Sequence, residues 1–156
     1  MFYVKSIFLF CITFLIYTCS LESNEPEVQI TTDLKTYIWS LTDSVYVKVK
    51  NTGNKTLYYL CTGEIFLEEQ QERQIINTWK VHGFEECLRA TQIEPDLYKV
   101  FPISAHEGEQ CIDFLITSPF SVNSKYTFRV ILYLDKDFKN ELPFKQSRSD
   151  QIVIEP

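Results

Sequence analysis

The hydrophobic pattern of the chain changes once, near its twentieth residue. Before that point, residues 7–17 form an apolar run that follows a lone cation, Lys5, and closes on Tyr17-Thr18-Cys19-Ser20. After it, apolar residues recur with a period of two. Val45, Val47 and Val49 alternate with Tyr46, Lys48 and Lys50, as in a strand with one buried face. Asn51-Thr52-Gly53-Asn54 supplies turn chemistry, and residues 56–60 answer as a return strand, which predicts a hairpin. Further strands are expected at 28–32, 36–39, 64–68, 75–81, 97–103, 110–116, 126–134 and 151–154. Turn signals recur about every 8–12 residues, the spacing of a sandwich. No helical stripe of useful length interrupts them.

The first run reads differently. A cationic start, a short apolar core and a small-residue boundary form a secretory signal. The run is too short to cross a bilayer, which takes roughly 20 residues, and extending it to Phe2 would bury Lys5. Three segments follow: a signal over 1–18, a polar tether over 19–26 and one domain over 27–156. Removing 1–18 takes away one lysine and no acid, so the net charge of −6 becomes −7. A balance that acidic disfavours nucleic acid and electrostatic adhesion to anionic lipid.

Leu15-Ile16-Tyr17-Thr18-Cys19 resembles the lipobox of bacterial lipoproteins. The resemblance implies cleavage before Cys19 and a lipidated thiol. It departs from the family's preference at Thr18 and Ile16, while Ser20 after the cysteine and the acidic Glu22, Glu25 and Glu27 are similar to lipoproteins of Bacteroidetes. It implies a protein of the cell envelope, held by lipid on Cys19 at the outer membrane. Two or three acyl chains would hold durably where one would not. The competing reading is plain secretion with cleavage after Ser20.

The expected fold is all-β, an immunoglobulin-like antiparallel β-sandwich behind the signal. Lys125-Tyr126-Thr127-Phe128-Arg129-Val130 resembles the penultimate strand of immunoglobulin-like domains, with Tyr126 as the corner tyrosine and Phe128 in the core. Trp79 is the candidate buried tryptophan. The whole layout is similar to domains of bacterial surface lipoproteins and, more weakly, to the intracellular proteinase inhibitor family.

Cys61 and Cys87 each edge an apolar segment and flank a polar stretch, so a disulfide between them is expected. Closing the 25 residues between them would stabilise by roughly 3–4 kcal/mol. Cys111 falls on the minor face of a strand. No C-x-x-C occurs, and His82 and His106 have no partner at ligand spacing, so neither zinc nor another cofactor is expected.

Asp135-Lys136-Asp137-Phe138-Lys139-Asn140-Glu141 offers oxygen ligands for calcium, but in the wrong register and with two lysines inside; a solvated connection is expected. Ser104 and Glu107 flank His106 without forming a triad, and no enzyme is expected. Glu68, Glu69 and Glu72, and Glu85-Glu86, read as solvated loop carboxylates. Tyr58, Tyr59, Tyr98, Tyr133, Phe120 and Phe144 exceed the needs of one small core, so some should be exposed for contact with a protein or glycan. The expected work is binding or structural support through loops 62–74, 82–96 and 135–150. The alternative is protease inhibition by one of those loops, and a hydrolase has the least support.

Overall fold

The computed structural model describes residues 28–38, 42, 44–83, 89–104 and 124–155. The signal, Cys19, the tether, Trp39, Glu85, Glu86, Cys87, His106, Cys111 with its expected strand, and Phe120 lie outside the described residues. Within them the chain is all-β and sandwich-like, without a helix.

Ten strands form: β1 (Val28–Thr32), β2 (Thr36–Ile38), β3 (Ser44–Asn51), β4 (Leu57–Leu60), β5 (Glu64–Gln71), β6 (Gln74–His82), β7 (Ala90–Ile93), β8 (Tyr98–Ser104), β9 (Lys125–Ile131) and β10 (Val153–Glu155). One layer is β1-β3-β8, and the other is β6-β5-β9. The chain after β9 returns beside it through bridges Arg129↔Arg148 and Tyr126↔Ile152. β10 then pairs in parallel with β2.

Period-two alternation fixes the inner faces. Val47 and Val49 of β3, Ile65 and Leu67 of β5, and Phe128 and Val130 of β9 point inward and share one core with Val28, Leu57, Phe101 and Ile152. Tyr126 and Phe128 are both buried, as the sequence expects. Trp79 stands on β6, only partly buried against the core.

The expected β3–β4 hairpin does not form. β3 pairs with β1 and β8, whereas β4 pairs with β7. The reason is Asn51, which is fully buried. Its amide Nδ2 donates to the carbonyls of Lys55 and Ile93, both at 2.8 Å, and its Oδ1 accepts from Gly53 N at 3.1 Å. One side chain thus closes the turn from inside and ties it to the end of β7. Without a ladder across it, the chain is delivered to the β4–β7 ribbon.

The β5–β6 hairpin is longer than its apolar run suggests. It continues to Gln71↔Gln74 and leaves a two-residue turn, Glu72 and Arg73, both at positive φ (48° and 72°). So 62–74 is not a loop. Nor is 82–96 wholly one, since β7 lies within it.

At the base of this hairpin two glycines meet. Gly83 (φ 83°) approaches Gly63 so closely that a Cβ on Gly83 would overlap the Gly63 carbonyl oxygen. A Cβ on Gly63 (φ 69°) would press on the Phe101 ring. Neither position tolerates a side chain without moving backbone or core. Gly83→Ala should therefore lower the unfolding free energy by at least about 2 kcal/mol in urea titration, combining the clash with the positive φ.

Candidate functional site

The outward faces of β5 and β9 carry an unusual set of residues. Register places Phe66 opposite Arg129, Glu68 opposite Thr127 and Gln70 opposite Lys125. The bridge to the returning chain adds Arg148 beside Arg129. Alternation alone makes all of these side chains neighbours on one face.

Glu68 is at the centre and only 2% exposed. Arg129 Nε donates to its Oε1 at 2.8 Å, and Arg148 Nη2 lies 2.7 Å from its Oε2. Arg148 Nη2 also donates to Thr127 Oγ1 at 2.7 Å. Arg129 stacks on Phe66, with its guanidinium carbon 4.7 Å from the ring centroid. Phe144 covers both arginines, at 5.6 Å and 4.8 Å. Glu141 flanks Arg129 at 3.9 Å from the exposed side. The planar guanidinium suits this arrangement, because it pairs in its plane and stacks through its face.

The network runs on. The Gln70 amide lies 3.1 Å from Thr127 Oγ1 and 2.9 Å from the Gln151 amide, with the Arg148 guanidinium against it. Past Gln70 opens a polar cavity of about 490 Å³ lined by Gln70, Gln71, Glu72, Arg73, Lys125 and Gln151. The track therefore spans the sheet face from Glu141 to the β5–β6 tip.

Glu68 and Glu69 correct the expectation of solvated loop carboxylates, for both lie in β5 and are buried. They point to opposite faces. Glu69 faces the core side, where Asn77 Nδ2 donates at 2.6 Å and Tyr126 Oη lies 3.4 Å away. The signal was present in the sequence: Ile65 and Leu67 alternate directly into Glu69, and Arg129 follows Phe128 onto the opposite face. Two of the chain's four arginines join this one carboxylate.

The other candidates are not gathered together. His82 is half-buried and packs edge-on against Phe101, with centroids 5.9 Å apart. Burial pushes its pKa below the ordinary value, the Thr62 carbonyl opposes that, and the Lys99 charge adds to it. Among the described residues no group of three or more His, Cys, Asp or Glu could hold a metal ion.

Asp135 is instead the staple of its own turn. Its Oδ1 accepts from the backbone N–H of Asp137 and Lys139, and its Oδ2 from the backbone and side chain of Asn140. These bonds, led by that from Lys139, hold its carboxyl below the ordinary value. Of the aromatics, Tyr59 is buried, Tyr58 and Tyr133 are half-buried, and Tyr98 and Phe144 are exposed. No helix among the described residues is long and apolar enough to cross a membrane, which leaves membrane crossing by strands untouched.

No protein-family model matches the chain, and no curated protein sequence matches it. Among solved structures it is similar to the sporulation control protein Spo0M from Bacillus subtilis, at 15% identity and a TM-score of 0.42. The match covers 83% of this chain and 49% of that one, so the chain spans about half its length.

Glu68→Gln should cost about 2–4 kcal/mol in chemical denaturation, because two guanidiniums lose a buried counter-charge while keeping some water. The combined Glu68→Leu, Arg148→Met change should recover part of that loss, because it leaves one guanidinium, Arg129, without its counter-charge where Glu68→Gln leaves two. Asp135→Ala should lower the melting temperature at neutral pH. A depressed carboxylate stabilises the fold above its unfolded value of 3.8 and ceases to do so as pH falls through the folded value. The gap between the variant and the natural chain should therefore close on acidification below that point, as read by melting curves across pH.

Proposed function

We propose that the chain is a lipid-anchored protein of the bacterial cell envelope, tethered at Cys19, whose sandwich binds a protein partner. The observation that carries the binding half is the track built on Arg129, Arg148, Phe66 and Phe144. Arginine and aromatic side chains held rigidly on a flat face have the composition of protein-binding hot spots. The arginines are fixed by Glu68 before any partner arrives, which reduces the ordering entropy that binding costs. This moves the proposed binding surface from three loops to a sheet face bordered by 135–150. A flat face of mixed charge suits a protein better than a glycan, and nothing in it favours catalysis.

The anchored half rests on the lipobox resemblance and the polar tether. A Cys61–Cys87 disulfide belongs to the same reading, since it fits an oxidising compartment. What supports it is the position of Cys61, whose N–H donates to the Arg89 carbonyl at 3.0 Å. That bond brings Arg89, two residues beyond Cys87 in the sequence, alongside Cys61.

The second reading, protease inhibition, is favoured by one feature. The Glu72-Arg73 turn presents an exposed arginine on a tight hairpin tip with both residues at positive φ. Such a tip would enter a cleft with little ordering cost.

Cys19→Ala is the discriminating change. In the natural host it should move the protein from the membrane fraction to the soluble fraction, and the intact mass should lose its acyl increment. A natural chain that starts after Ser20 and carries no lipid would favour the secreted inhibitor.

A further inference from the structure

The outward face of the β1-β3-β8 sheet differs in charge from the rest of the molecule. Register across it sets Lys50 opposite Tyr98, Lys48 opposite Val100 and Tyr46 opposite Pro102. Val47, Val49 and Phe101, which alternate with them, lie in the core, so this set is turned outward. Two of its members are large and open: Tyr46 is 48% exposed and Tyr98 is 60% exposed. Lys48 places its ammonium 4.3 Å from the centre of the Tyr98 ring, which holds lysine and ring as one unit. The three strands carry Lys48, Lys50 and Lys99 and not one acidic residue, in a chain whose net charge is −6. Asp33, in the bend after β1, has its Oδ1 engaged by the N–H of Tyr46 and the hydroxyl of Tyr37.

We infer that this face binds an acidic polysaccharide, a chain of sugar rings that bears carboxylates or sulfates at intervals. Along β3 the residues Lys50, Lys48 and Tyr46 follow one another at about 6.8 Å on one face. Two ammonium groups and a ring in a straight row suit an extended polymer. Tyrosine offers an apolar ring to the C–H side of a pyranose and a hydroxyl to its polar rim. Lysine is a point charge on a flexible stem and meets an anion without demanding a fixed geometry. Charge selects the occupant. Protein interfaces are depleted of lysine, and here two lysines stand on the central strand. Nucleic acid is held by releasing counterions from many phosphates at once, and three lysines in an acidic chain release few. An anionic bilayer gains only about 1 kcal/mol from each lysine near it. A glycan is held by ring contact as well as by charge, and the two open tyrosines supply that contact. The inference depends on neither the lipid anchor nor the track on the opposite sheet.

The test is affinity electrophoresis of the full chain, in mild detergent, through gels that hold polygalacturonate, chondroitin sulfate or neutral dextran. At least one acidic polymer should retard the natural chain, added salt should relieve the retardation, and dextran should have no effect. Lys48→Glu and Tyr98→Ala should each weaken binding at least about tenfold, with the melting curve unchanged because both side chains are exposed. Tyr98→Phe should keep most of the binding, because it keeps the ring. Lys136→Gln removes a lysine charge outside this face and should leave binding as it was. Retardation by neither acidic polymer overturns the inference, and so does equal retardation by dextran. A Tyr98→Ala chain that binds like the natural one also overturns it, because charge alone would then be the cause. So does tighter binding to a single-stranded oligonucleotide or to phosphatidylserine vesicles than to either polymer.

Discussion

A single buried carboxylate organises one side of this molecule. Glu68 sits on the middle strand of its sheet, and the two guanidiniums that reach it come from β9 and from the chain returning after it. The contact therefore spans three adjacent chain segments that are far apart in sequence. Burying a charge this completely is costly unless it is paired, and two guanidiniums pair it here. Once engaged, the charge dictates register, since a one-residue slip of β9 would turn Arg129 into the core and Phe128 out to solvent. Phe66 and Phe144 close the cluster from either side, and the aromatic lid and the salt bridge are one structure. The outer face of the sheet is consequently stiff, which separates it from an ordinary solvated strand surface.

The period-two signal made the inner faces legible. Val47 and Val49 were placed by alternation and Phe128 by its resemblance to a core strand position, and alternation does not depend on which strands pair. Pairing was harder to read. The Asn51 to Asn54 segment has the chemistry of a hairpin turn, yet the side chain of Asn51 spends its hydrogen bonds on Lys55, Ile93 and Gly53. The Ile93 bond joins residues 42 apart in the chain, and no local pattern contains it. The two-residue turn at Glu72-Arg73 was hidden for the opposite reason. It lacks the Asn-Gly chemistry that such turns favour, so the polar run 69–74 marked a hairpin tip without showing that the strands continue to Gln71 and Gln74.

The site was half legible. Arg129 follows directly from its place beside Phe128, but the three-part contact with Arg148 needs the returning chain to come back beside β9. Glu68 and Glu69 are the instructive pair. Adjacent carboxylates suggest solvent because both cannot face the same way, and in a strand they do not. One faces a pair of arginines and the other a tyrosine and an asparagine, so a doublet that reads as surface is buried on both sides.

The parallel pairing of β2 with β10 has a mechanical consequence. Three residue pairs, Thr36 with Val153, Tyr37 with Ile154 and Ile38 with Glu155, join the early chain to its last strand, running the same way. A force that reaches β2 from its leading end and β10 from its trailing end slides the two past each other, so all three pairs resist together and none can be peeled off first. Tyr37 stiffens the same spot, buried and with its hydroxyl donating to Asp33 at 2.7 Å. A pull applied at Lys35 and at Glu155 would thus meet the chain's three-pair parallel ladder in the direction in which that ladder is strongest.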